Sequence, residues 1–180
     1  NIAQLDIARA EIGAPVLGED AAFSVEGSAQ LDGGEGNVDI AVERLDTPAS
    51  LELAGRFDNE TRALELRLAL EEPRGGLVAQ RIGLAEGESL ALTLDGDGTL
   101  SDFAADLSLT TAGQERLAGT VALSETETGA QGFSAEVGGD LAPLLAPEYR
   151  SFLGERIALT VAGERAESGA VTLETLALDA

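Results

Sequence analysis

The acidic run LDGDGTLSDF (94–103) is the stretch whose residue types come closest to a site with chemistry of its own. Closely spaced carboxylates suggest a calcium loop, because Ca²⁺ takes several oxygen ligands from one short segment. An EF-hand loop requires an acidic or amide residue at position 99 and glycine at position 100, where this chain has Thr99 and Leu100. The run therefore predicts an acidic hairpin turn rather than a calcium site.

Carboxylates are abundant throughout the chain, with 33 acidic residues against 11 basic ones. With so many carboxylates, some pairs could fall by chance at the separation that a glycosidase needs. Sugar sites, however, use aromatic platforms, and aromatic residues make up only 3% of the chain. We interpret the carboxylates as a solvated outer surface and keep a carbohydrate-active β-domain as the less favoured alternative.

Several classes of function are disfavoured by residues that the chain lacks. It has no His and no Cys, so it has neither a Ser-His-Asp triad nor a thiolate or imidazole zinc site. All its basic residues are arginines, so a phosphate-binding loop with its lysine is also missing. The net charge of −22 repels nucleic acid. We expect no enzyme, no metal, no cofactor and no nucleic-acid partner, and a function carried by a surface.

That surface is predicted by leucines at every second position, of which Leu64, Leu66, Leu68 and Leu70 are the clearest run. A period of two places all four on one face of an extended strand, with the intervening polar residues on the other face. Similar runs recur about a dozen times, with turn signals such as Asp32-Gly33-Gly34, Asp95-Gly96 and Ala162-Gly163 between them. The pattern predicts an all-β fold: an extended, curled antiparallel sheet, either a U-shaped (β-taco) groove or solenoid-like.

Two interruptions have helical spacing and predict short insertions at about 73–83 and 140–154. The first opens with Pro73 and ends at Gly83. The second has Asp140 as a possible cap and Pro147 as a kink. Strand patterns resume after each insertion, so residues 1–180 are expected to form one continuous β-repeat segment of a longer protein.

The apolar face is the candidate functional surface, and its lining is almost purely aliphatic. A sealed core would pack this face against protein, whereas an open groove would hold something aliphatic such as lipid chains, and periodicity alone does not separate the two. The predicted lining residues are Leu51, Leu53, Leu64, Leu66, Leu68, Leu70, Leu90, Leu92, Leu94, Phe103, Leu107, Leu109, Leu117, Val121, Leu123, Ile157, Leu159 and Val161.

Four segments of the chain resemble the TamB family (translocation and assembly module) of AsmA-like proteins, and together they suggest a middle repeat segment. The runs LDGDGTLSDF (94–103) and LAGTV (117–121) look like segments that recur in that family. The runs GDLAPLLAPEYRSFLG (139–154) and IALTVAG (157–163) are similar to stretches of its members in GC-rich Gram-negative bacteria.

The resemblance implies a periplasmic protein anchored in the inner membrane, with a β-sheet groove that carries phospholipid toward the outer membrane. It also implies a link to outer-membrane protein assembly and secretion, with a TamA-type β-barrel as partner. Contact with the barrel would lie in regions outside this chain. The groove lining carries over to the alternating apolar residues given above, with phospholipid acyl chains as the expected partner. A structural β-solenoid or adhesin segment with a sealed core is the main alternative.

Overall fold

The computed structural model describes residues 2–81, 88–99, 101–126, 129–140, 156–166 and 168–179. These residues form one open, curled antiparallel sheet of eleven strands, which lie in the sheet in the order in which they follow along the chain. The all-β prediction is confirmed. The strands are β1 (Ile2–Ile12), β2 (Ala21–Asp32), β3 (Glu35–Arg44), β4 (Ser50–Asp58), β5 (Ala63–Glu72), β6 (Leu90–Thr99), β7 (Asp102–Thr111), β8 (Gln114–Glu125), β9 (Gln131–Gly139), β10 (Ile157–Arg165) and β11 (Val171–Asp179).

Two short helices interrupt the sheet: α1 (Ala14–Leu17) and α2 (Leu77–Arg81). The insertion predicted at 73–83 contains α2, which begins at Leu77, after Gly75 takes a left-handed conformation (φ 73°). Residues 82 and 83 of this predicted insertion lie outside the described residues. Residues 141–154 of the other predicted insertion lie outside the described residues. Helix α1 was not predicted, although Pro15 in its first turn and the left-handed Gly18 at its end are the expected start and stop signals.

Two predicted turns are wrong. Asp95-Gly96 lies in the middle of β6, and Ala162-Gly163 lies within β10. Both glycines belong to the apolar face, where they lie beneath phenylalanine rings of neighbouring strands. A β-carbon on Gly96 would come within 2.5 Å of the Phe103 ring, and one on Gly163 within 2.7 Å of the Phe133 ring. Glycine is therefore required here by close packing rather than by a turn.

The strand ends form two edges of the sheet, which run across the strands and differ in the connections that they carry. One edge, here called the turn edge, carries the connections at 33–34, 59–62, 100–101, 126–130 and 166–170. The opposite edge, the insertion edge, carries the connections at 13–20, 45–49, 73–89, 112–113 and 140–156. Because consecutive strands are antiparallel, connections alternate between the edges. The three longest, at 13–20, 73–89 and 140–156, all fall on the insertion edge.

An ion-pair cluster lies at the insertion edge near the end of β3. It is centred on the side chain of Arg44, which is only 7% exposed. Its guanidinium contacts the Asp46 carboxylate through two nitrogens, at 2.8 and 2.9 Å, and Glu19 at 2.8 Å. The hydrogen bond from Arg44 lowers the pKa of Asp46 from 3.8 to about 2 and raises that of Arg44 above its usual value. The contact is bidentate, which fixes the loop at 45–49 against the end of β3.

The Asp46 carboxylate should therefore stabilise the fold above pH 3.8 and lose this effect as the pH falls toward 2, because its pKa is lower in the folded chain. An NMR titration of the Asp46 side chain should give a midpoint near 2, and Arg44→Gln should return it to near 3.8. A midpoint that does not respond to Arg44→Gln would show that the ion pair is not its cause.

Candidate functional site: the apolar face

The strand register aligns the apolar residues into four rows that cross the sheet perpendicular to the strands. Directly opposed residues in an antiparallel pair point to the same face, so each row lies on one side of the sheet. Glycines fill the remaining row positions. The first row, nearest the insertion edge, is Ile7, Val25, Val42, Leu51, Leu70, Leu92, Leu109, Leu117 and Ile157; the second is Leu5, Ile40, Leu53, Leu68, Leu94, Leu107, Val137, Leu159 and Leu178; the third is Ala3, Ala29, Val38, Leu66, Ala105, Val121, Ala135, Val161 and Leu176; the fourth is Leu31, Phe57, Leu64, Phe103, Leu123, Phe133 and Leu173.

All the lining residues predicted from the sequence lie on this surface, here called the apolar face. Leu70 is opposite Leu92 and Leu68 is opposite Leu94, so the predicted alignment of the leucine runs in β5 and β6 is confirmed. Leu90 lies one position beyond the first row, opposite Glu72. Whether lipid occupies the apolar face stays a prediction.

The predicted lining omitted the apolar residues of β1, β2, β3, β9 and β11, which the register places in the same rows. Their alternation is the signal that finds them. In β11, the extra residue Glu174 shifts the register, so Leu173 and Leu176 share a face at a spacing of three. A strict period of two does not detect that pair.

Exposure of the apolar face varies along the sheet. Leu90 and Leu109 in the middle of the sheet are 2% and 9% exposed, whereas Leu5 on β1 is 53% and Leu176 on β11 is 67% exposed. Each strand contacts its sequence neighbours, and α2 contacts β5. Among the described residues, the apolar face is therefore buried on β6 and β7 and exposed on the two edge strands, β1 and β11.

One buried part of the apolar face lies under α2, at the insertion edge, while Phe103, Ala105 and Ile157 are buried elsewhere on the face. Ala79 and Val78 of the helix pack with Leu90 and Leu109, and Leu70, Leu92 and Leu117 surround this cluster. The Glu72 side chain, in a residue only 6% exposed, reaches the start of the helix. Its carboxylate accepts hydrogen bonds from the backbone N–H groups of Val78, at 3.0 Å, and Ala79, at 3.1 Å. A buried carboxylate thus fixes α2 to the sheet.

A second arginine lies at the insertion edge beside β8. The Arg116 side chain, 12% exposed, donates a hydrogen bond of 3.0 Å from Nε to the hydroxyl of the buried Thr111. Its other nitrogens lie 3.7 Å from Asp140 and 4.0 Å from Glu88. Arg116 and Arg44 each lie near two carboxylates, so neither presents a free positive charge to a phosphate group.

A cavity of about 820 Å³ lies on the other side of the sheet, across β1 to β6. On each strand it touches three consecutive residues, for example Arg67, Leu68 and Ala69, but not the second neighbours Leu66 and Leu70. If the cavity were on the apolar face, the apolar side chains two positions before and after Leu68 would line it. This trough is therefore on the polar face and is not the aliphatic channel that a conduit would provide.

The trough is strongly acidic. One ion pair crosses it, between Arg67 and Asp95 at 3.2 Å, with both side chains more than two-thirds exposed. Its lining contains carboxylates but no aromatic side chain, and the phenylalanines of the described chain lie on the apolar face. The aromatic platform that the carbohydrate alternative requires is missing from this lining. The acidic residues of the trough are Asp6, Glu26, Asp39, Glu52 and Asp95.

The acidic side chains of the described residues form no group of three or more that is arranged to hold a metal ion. None of the helices in the same part of the chain has the length and apolar character needed to cross a membrane.

In comparisons with known proteins, no family model, curated protein or solved structure matches this chain.

Proposed function

We propose that this chain is a segment of a TamB-like protein whose apolar face holds phospholipid acyl chains and passes them along the sheet toward the outer membrane. The observation that carries the proposal is the alignment of four apolar rows across the sheet, on a face that the described residues of α2 cover in part. The resemblance described above adds the periplasmic location, the inner-membrane anchor and the role in outer-membrane biogenesis. A β-barrel partner would be contacted through regions outside this chain.

The size of the apolar face supports an apolar occupant. Eleven strands about 4.8 Å apart span about 48 Å, and four rows spaced two residues apart span about 20 Å. The whole face, laid flat, measures about 1,000 Å², and part of it is buried. The largest exposed apolar patch on a typical soluble monomer is roughly 300–600 Å². A surface of this extent favours interaction with lipid or with another protein.

The chemistry of the two faces favours lipid that lies on one side of the sheet only. Each buried methylene of an acyl chain contributes about 0.8 kcal/mol, and the rows offer aliphatic contacts from strand to strand. Carboxylates on the polar face repel anionic headgroups, and several are directly opposed, such as Asp95 and Asp106. The headgroup should therefore remain in water while the acyl chains lie along the rows. Such a function needs no catalytic residue.

A sealed core is the second candidate, because part of the apolar face is already buried by its own chain. Leu90 and Leu109 are covered by α2, as core residues of a solenoid or adhesin segment would be. A sealed core requires protein over the whole face, whereas a conduit requires lipid access to the open rows. Leu94, which is partly exposed in the second row, distinguishes the two.

Photo-crosslinking from positions 93 and 94 tests the proposal. These neighbours in β6 differ mainly in the face they occupy: Leu94 is aligned with Leu68 and Leu107, while Thr93 is exposed on the polar face. A photoreactive residue at position 94 should form lipid adducts in cells, and one at position 93 should not. Equal labelling would contradict the proposal, and protein adducts alone at position 94 would support the sealed core.

A further inference from the structure

We propose that α2 is a displaceable cover, held by Glu72, and that an aliphatic chain takes its place on the apolar face. This inference rests on the proposed function and adds its regulation. It starts from the fact that the residues under α2 belong to the same aliphatic surface as the open rows. Leu109 is in the first row, and Leu90 continues the surface toward the insertion edge.

The cover is small compared with what it covers. Among the described residues, α2 contributes Val78 and Ala79 to a cluster in which the sheet supplies Leu70, Leu90, Leu92, Leu109 and Leu117. The described part of α2 has five residues, whereas an isolated helix becomes marginally stable at roughly 12–15 residues. The position of α2 therefore depends on its contacts with the sheet, and a linear aliphatic chain offers the same leucines more apolar contact.

Glu72 is the group that holds the cover. Its carboxylate accepts hydrogen bonds from two successive N–H groups at the start of α2, at 3.0 and 3.1 Å. The approach is close enough that a β-carbon on Gly76 would lie 2.6 Å from the Glu72 carboxyl carbon, so this position of the cover requires glycine. Glu72 also lies opposite Leu90, so the residue that anchors α2 directly adjoins the most buried leucine of the face.

Thiol labelling can measure how often α2 uncovers the cluster, because the chain contains no cysteine of its own. Leu109→Cys would place a thiol beneath α2, and Leu107→Cys would place one in the second row, away from the cluster. Glu72→Gln should raise the rate at which a water-soluble maleimide labels the thiol at position 109 roughly tenfold, because it removes a charged hydrogen-bond acceptor. The labelling rate of the thiol at position 107 should be unaffected.

Glu71→Gln is the matched control, since Glu71 is the exposed neighbour of Glu72 on the polar face. It should change both labelling rates by no more than about twofold. An unchanged labelling rate at position 109 in a folded Glu72→Gln protein would overturn the proposal. Circular dichroism checks that each variant is folded, and amide exchange at Val78 and Ala79 gives an independent measure in the chain without thiol substitutions.

Vesicles of dioleoylphosphatidylcholine test the replacement step. Lipid binding should speed amide exchange at Val78 and Ala79 while the thiol of the Leu109→Cys variant remains protected, because an acyl chain then covers it. Bound lipid with unchanged exchange would overturn displacement. If no lipid binds, the proposed function and the replacement step both fail, whereas the anchoring role of Glu72 is still decided by the labelling of lipid-free protein.

Discussion

Replacing Leu90 by alanine should lower the free energy of unfolding by about 2–5 kcal/mol. Leu90 is 2% exposed and packs between α2 and the first row, so the truncation would leave a cavity in the tightest part of the molecule. Denaturant unfolding followed by circular dichroism measures the change, provided that the two proteins have the same m-value.

The matched control is Leu176→Ala, which removes the same atoms from an edge-strand leucine that is 67% exposed. Its effect should stay within about 0.5 kcal/mol, the usual range for surface substitutions. If the two variants lose similar stability, the cluster beneath α2 is not the centre of the fold, and the difference in exposure between these leucines has no energetic consequence.

Replacing Leu94 by glutamate should reduce the lipid that co-purifies with the protein by about tenfold, corresponding to the contacts of about two methylenes with the second row. The new carboxylate would lie between Leu68 and Leu107, where an acyl chain crossing the strands could not avoid it. An unpaired charge in aliphatic surroundings is strongly penalised. Phosphate analysis of the purified protein measures the bound phospholipid.

Thr93→Glu adds the same charge on the neighbouring residue but on the polar face, so bound lipid should be unchanged. Conversely, Leu→Ala changes in the open rows should have mild and graded effects, since no single leucine forms a site. Equal losses from the Leu94 and Thr93 variants would indicate a general effect of charge. If the replacement of one acidic residue of the trough abolished lipid binding completely, the protein would have a specific polar site instead.

The strand pattern could be predicted from the sequence because alternation is a local property that each strand carries in its own residues. The errors occur where another strand decides the conformation. Gly96 and Gly163 stand in dipeptides that are typical of turns, but the rings of Phe103 and Phe133 occupy the space above them. Each ring belongs to a neighbouring strand, so no pattern within a single strand reveals that it covers glycine.

The candidate site was predicted in kind but not in extent. Alternation identified the apolar face, while only the register shows that Ile7 on β1 and Ile157 on β10 belong to one row. The cover over Leu90 could not be predicted from the helical pattern alone, because it depends on Glu72 turning toward the amide groups of α2. The acidic trough also depends on the register, which sets residues from six strands side by side.

The strictly sequential order of the strands makes the sheet modular, so that its length could change by whole hairpins. Each strand contacts its sequence neighbours, so the contacts are local along the chain and the topology resembles that of a repeat protein. Loss or duplication of two adjacent strands would preserve the strand direction, the identity of both edges and the continuity of every row. It would change the length of the apolar face by about 9.6 Å, two interstrand spacings. A chain built in this way can vary in length during evolution, in steps of one hairpin, without redesigning the surface that it presents.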